Sequence, residues 1–176
     1  MELQSTFRPA KGRSEIRLGK TNFGFLAVRV SKSISKHFGG GEISDSEGRK
    51  GEAAIFGRQS KWMDYSGRVA AGTSSTRHWE PEGITYIDHP SNLRYPSHWH
   101  VREDGWMGAS FGFVEDHMIK VDHPLVLRYM LYAHHGAYDS VRAGKLASKF
   151  ADRPGFLVRK STQAHHQFEV QRMGVQ

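Results

Sequence analysis

The feature that most restricts the fold is the run from Leu125 to Ala133. Its odd positions, Leu125, Leu127, Tyr129, Leu131 and Ala133, are all apolar, while the even face carries Arg128 and Tyr132. A period of two marks a β-strand with one face against a core, because successive side chains on extended backbone point to opposite sides. The odd face is the expected core face. Phe23 to Ser31 sets Phe23, Phe25, Ala27 and Arg29 against Gly24, Leu26, Val28 and Val30, and reads as a strand buried on much of both faces. Trp62 to Val69 and Glu82 to Asp88 read as two more strands, joined by a polar connection over 72–81. Residues 35–51, polar and with glycines at 39–41 and 48, read as a loop with at most a short hairpin.

From Asp139 the period lengthens. Val141, Leu146, Ala147 and Phe150 fall on one side of a helix, with Asp139 or Ser140 as N-cap and a stop at Asp152-Arg-Pro-Gly155. Residues 155–160 and 167–172 fit either short strands or a basic tail. The expected architecture is mainly β: an antiparallel β-sandwich with one helix near the C-terminus, in a single domain over residues 1–176.

A chain of 176 residues can bury roughly two thirds of its surface around one core without staples. Cysteine is absent, which excludes disulfides, thiolate metal sites and a sulfur nucleophile. No apolar run approaches the roughly 20 residues of a membrane-spanning helix, so no membrane partner is expected. The first residues lack a basic segment followed by an apolar one, which implies a cytoplasmic protein if this start is genuine. A missing upstream half with a signal peptide would instead imply a secreted or periplasmic one. The net charge of +7 is concentrated at the ends: residues 1–36 carry +6, residues 141–176 carry +5, and the middle is −4. The basic residues are spaced singly, without an RNA-binding aromatic strand or a zinc-finger spacing, so they read as solvated surface and no nucleic-acid partner is expected.

The middle segment carries a set of ordered motifs: Ser46-Glu-Gly48, Glu52, Trp62-Met-Asp-Tyr-Ser-Gly67, Asp88-His-Pro-Ser-Asn-Leu-Arg94 and Trp99-His-Val-Arg102. In this it resembles the PmoA-like group, whose members often carry the label "methane oxygenase PmoA". The resemblance covers about residues 20–152 and implies a β-sandwich. Members of that group are usually longer, with an N-terminal half bearing its own His-rich motif, so this chain looks like the C-terminal part of a larger sandwich. A sheet edge exposed in this way would suit a second copy as partner. The membrane monooxygenase subunit that shares the label is built from transmembrane helices, and this sequence can form none.

His98 and His100 fall two apart on a strand, a spacing that can chelate a metal, with Asp88, His89, Glu115 or His117 as a third ligand. The balance is against such a site, and no cofactor is implied. Asp88 and His89 resemble an acid and a base in sequence contact. Against that, Asp88 or Asn92 can cap a turn at Pro90 and leave His89 exposed. Glu52, Arg94 and Arg102, with Trp62, Tyr65 and Trp99, have the composition of a polar-ligand pocket, although the two tryptophans equally suit a core. The pairs His134-His135 and His165-His166 read as surface residues.

The reading is a domain that binds a small polar ligand, such as a carbohydrate or sugar derivative. Its pocket would be built from Glu52, Asp64, Tyr65, Asp88, Asn92, Arg94 and Arg102, with His89 and His100 as acid-base groups. His89, His100 and Arg102 are expected to converge on one concave surface. The alternatives are a non-catalytic binding module or inactive fragment, and a metal-dependent oxygenase needing two histidines and a carboxylate around open positions.

Overall fold

The computed structural model describes residues 1–174. The elements in chain order are β1 (Glu2–Phe7), β2 (Glu15–Leu18), β3 (Ala27–Arg29), α1 (Lys36–Gly39), β4 (Glu42–Asp45) and α2 (Glu52–Ile55). They continue with β5 (Trp62–Ala71), β6 (His78–Asp88), β7 (His98–Val101), β8 (Trp106–Ser110) and β9 (His117–Lys120). The last are β10 (Leu125–His135), α3 (Ser140–Ala151), β11 (Phe156–Lys160) and β12 (Phe168–Arg172).

The fold is the expected mainly β sandwich. A five-stranded sheet, ordered β1-β10-β6-β5-β4, packs against a three-stranded sheet, β3-β8-β7, and every ladder is antiparallel. The large sheet contributes Met63, Tyr65, Tyr86, Leu127 and Tyr129 to the core between them, and the small sheet contributes Val28, Trp99, Val101, Met107 and Ala109. Tyr86 stands edge-on to Trp99 at 5.0 Å and to Tyr129 at 5.3 Å, the T-shaped geometry that ring quadrupoles favour. The other face of the large sheet is covered by α3, whose Phe150 meets Ile87 and Met130 with Trp62, Leu146 and Ala147 at the margin. Asp139 caps this helix by accepting from the backbone of Val141 and Arg142.

Several boundaries differ from expectation. The 23–31 strand shortens to Ala27–Arg29, and Phe23 and Phe25 are more than half exposed. Val28 and Val30 of that segment are in the core, and Leu26 packs at its margin. The odd face of β10 is core from Leu125 to Tyr129, but Leu131 is half-buried and Ala133 exposed, because β10 outruns the sheet that faces it. On α3, Ala143 is buried in place of Val141, which lies in solvent. The 35–51 loop contains a strand after all: β4 pairs Ile43 with Tyr65 at the edge of the large sheet. Residues 78–81 of the 72–81 connection belong to β6, which leaves a turn over 72–77. The C-terminal segment forms the β11–β12 hairpin, and residues 175–176 lie outside the described residues. No helix is long and apolar enough to cross a membrane.

Leu127 is fully buried and central in the large sheet. Leu127→Ala should cost about 2–5 kcal/mol in urea unfolding, and Leu131→Ala, at a half-buried site, clearly less. Equal costs would contradict this placement of the core.

Candidate functional site

The sandwich divides the nine residues singled out above among four neighbourhoods, and most of them hold the fold together. Asp88 ends β6. Its carboxylate accepts from the Ser97 backbone at 2.9 Å and from Asn92 Nδ2 at 2.6 Å. The Asn92 amide in turn donates to Arg128 O and accepts from Arg128 N, both at 2.7 Å. Ladder pairing of β6 with β10 stops at Asp88 opposite Tyr129, so Asn92 supplies the next rung with its side chain. Burial pushes the Asp88 carboxyl up to about 6, against the pull of the Asn92 and Ser97 hydrogen bonds.

His89 is buried, not exposed at a turn. Its ring lies edge-on to Phe150 at 4.7 Å. Arg128 Nη1 donates to Nε2 at 2.8 Å, and Nδ1 faces Ser91 Oγ at 2.7 Å. Burial first, then the Arg128 charge, lower its pKa, and neither nitrogen is open to a ligand. Arg94 adopts a left-handed backbone, φ 61°. It donates to the carbonyls of Phe111 at 2.9 Å and Asp116 at 2.8 Å, which makes it a clamp on the loop between β8 and β9.

Asp64 is buried on the outer face of the large sheet. It accepts from Thr85 Oγ1 at 2.7 Å, from Ser66 Oγ, and from His134 Nε2 at 2.9 Å. Nδ1 of His134 faces Gly136 O at 3.1 Å, so both ring nitrogens meet acceptors, which favours the protonated ring. The Asp64 hydrogen bond is the main cause of its raised pKa. A Cβ at Gly83 would lie 2.7 Å from this ring, which is why that strand position carries glycine. The surface placement expected for His134 is therefore corrected: it is 6% exposed.

Tyr65, pointing inward from β5, accepts from Lys36 N at 2.7 Å and donates to Glu103 O at 2.9 Å. Through that bond it positions the wall of the fourth neighbourhood, a cleft of about 560 Å³ over β7. Glu52, His100 and Arg102 meet there, with Asn22, His37 and Phe56. Glu52 Oε2 accepts from Glu103 N at 2.7 Å. Asp104 Oδ2 lies 3.0 Å from Arg102 Nη2 and 3.3 Å from Arg29 Nη1, and the Arg29 guanidinium covers the Trp106 ring at 5.3 Å.

His100 is 5% exposed and packs between Phe23 at 4.8 Å and Phe56 at 5.1 Å. Burial lowers its pKa, with the backbone at Asn22 pulling the other way. His100 Nδ1, Asp104 Oδ1 and Trp106 Nε1 are buried without a hydrogen-bond partner among the described residues. A buried polar atom left unpaired costs about 1–3 kcal/mol, so three around one histidine mark a region not optimised for stability alone.

The expected convergence is thus partial. His100 and Arg102 share a cleft with Glu52, whereas His89 lies under α3, on the opposite outer face of the sandwich. His98 stacks on Phe113 at 5.2 Å and does not line the cleft. Asp104, Trp106, Phe23 and Phe56 were not singled out in the sequence. Only the adjacency of Asp104 and Trp106 to the Trp99-His-Val-Arg102 motif hinted at them.

The Asp64–His134 pair has a pH signature. The folded pKa of His134 is raised, so its stabilisation is complete below the unfolded value of about 6.5 and is lost as pH rises through the folded pKa. Urea unfolding above pH 6.5 should show declining stability in the wild type and a shallower decline in His134→Gln. Equal slopes would contradict a charged His134.

No curated protein and no solved structure matches the chain. A family model does match, over residues 1–148, and the chain belongs to that family, described as a family of unknown function, DUF6807.

Proposed function

We propose that the protein binds a small polyhydroxylated ligand, a carbohydrate or sugar derivative, in the cleft over β7. The observation that carries this reading is the pair of unpartnered polar atoms on His100 and Asp104, which line an aromatic and charged recess. Such a ligand offers donors and acceptors at close spacing together with C–H faces. Phe56 at the cleft supports contact with those faces, and Arg102, Asp104 and Glu52 supply hydrogen-bonding groups of both signs. A cleft of about 560 Å³ is in the range that small-molecule sites occupy.

His100 is then the acid-base candidate, and His89 is not. Burial favours the neutral His100 imidazole, the form that can accept a proton. A non-catalytic binding module would use the same recess without turnover. An oxygenase of the kind the PmoA label suggests is the weaker reading, because among the described residues neither His98 nor His100 falls in a group of three metal-ligating side chains.

The test is a titration with neutral hexoses, uronic acids and sugar alcohols at millimolar concentration, followed by NMR of the His100 ring and the Trp106 indole N–H. Saturable shifts of both signals are expected with at least one class, with affinity reduced about tenfold or more in Arg102→Ala, equivalent to about 1.4 kcal/mol. Absence of shifts across the panel, or shifts confined to other regions, would overturn the proposal.

A further inference from the structure

The face of β6 that carries Ile84 and Tyr86 into the core continues beyond it as His78, Glu80 and Glu82, since alternate residues of a strand share a face. On β10 the corresponding face runs from Tyr129 through Leu131 to His135, and His135 stands directly across from Glu82. The apolar face thus becomes a His and Glu face where the two strands run past the core.

We infer that this end of β6 and β10 binds a divalent transition-metal ion through Glu80, Glu82 and His135, with His78 as a fourth ligand. One ligand atom from each of Glu80, Glu82 and His135 lies within 4.8 Å of the others. Nδ1 of His135 is 3.0 Å from Glu82 Oε1 and 3.8 Å from Glu80 Oε2, and His78 Nε2 is 2.7 Å from Glu80 Oε1. Ligands at about 2.0–2.2 Å from a tetrahedral ion sit about 3.3–3.6 Å from one another, so the atoms of Glu80, Glu82 and His135, within 4.8 Å, need to close up only a little, while His78 lies outside that group and reaches it through Glu80.

Two further observations favour a cation. First, His78 Nδ1 lies 3.0 Å from Thr76 O, which orients Nε2 toward the Glu80 carboxylate, where a bound cation would take the place of the ring proton. An imidazole fixed through Nδ1–H to a backbone carbonyl, with the other nitrogen presented, is the usual outer-shell arrangement of a metal-binding histidine. Second, among the described residues neither Glu80 nor Glu82 pairs with Lys or Arg. Their cross-strand neighbours on β5 are Val69 and Gly67, which bring no positive charge. Two carboxylates at alternate positions of one strand face are therefore offset only by imidazoles. The mixed nitrogen and oxygen set suits Zn²⁺, Co²⁺, Ni²⁺ or Cu²⁺ rather than Mg²⁺ or Ca²⁺, which take oxygen. The site lies on different strands from the cleft over β7 and does not depend on the ligand proposed there.

The experiment is calorimetric titration of the EDTA-treated, dialysed full chain with ZnCl₂, repeated with CoCl₂ while recording the visible spectrum. One equivalent of Zn²⁺ and an intense tetrahedral Co²⁺ band are expected. His135→Ala and Glu82→Gln should each weaken Zn²⁺ binding about tenfold or more without changing the metal-free unfolding midpoint. The double variant His165→Ala/His166→Ala, at the β11–β12 turn, should bind as the wild type does. No stoichiometric binding, or binding unaltered in both His135→Ala and Glu82→Gln, would overturn the site. Loss of binding in the His165/His166 variant alone would do the same, leaving His78 and His135 as ion-pair partners of the two glutamates.

Discussion

The rest of the structure depends on Tyr86 being wedged between the two sheets. It is fully buried, edge-on to Trp99 of the small sheet and to Tyr129 of its own, and its hydroxyl donates to Leu26 O at 3.1 Å. With these rings inside, alternation leaves no choice for their neighbours. Thr85 and Ile87 must face the opposite side of the large sheet, and His98 and His100 the outside of the small one. A one-residue slip of β6 or β7 would turn every one of these groups over. The cleft over β7 and the Asp64–His134 pair are thus both consequences of one packing decision.

Polar residues that looked like chemistry mostly turn out to hold backbone. Asp88, Asn92 and Arg94 together accept or donate hydrogen bonds at Ser97, Arg128, Phe111 and Asp116, all points where regular ladders end. Buried carbonyl and amide groups need partners wherever a strand stops, and short polar side chains on turns are the groups within reach. Their placement beside an apolar strand is explained by this need without any ligand.

The cleft behaves differently. There the local interactions leave polar atoms of His100 and Asp104 without partners, while Tyr65 and Glu52 both fix the Glu103 backbone beside them. The arrangement is held from outside and unsatisfied within, which is the pattern of a preorganised site.

The sequence by itself determined the class of fold, the helix over 140–151 with its cap narrowed to Asp139 or Ser140, and three of the central strands. Each of these is written in local periodicity or capping chemistry. Of the nine residues grouped from the sequence, Glu52, His100 and Arg102 line one cleft. Tertiary structure decided the rest. Phe23 and Phe25 are exposed because the small sheet is too short to cover them, and β4 is a strand only because β5 offers it an edge. His89 and His100, eleven positions apart, lie on opposite outer faces of the sandwich because the chain crosses from the large sheet to the small one between them. No local pattern records which side of a two-layer structure a turn residue will reach, since that depends on which sheet receives the next strand.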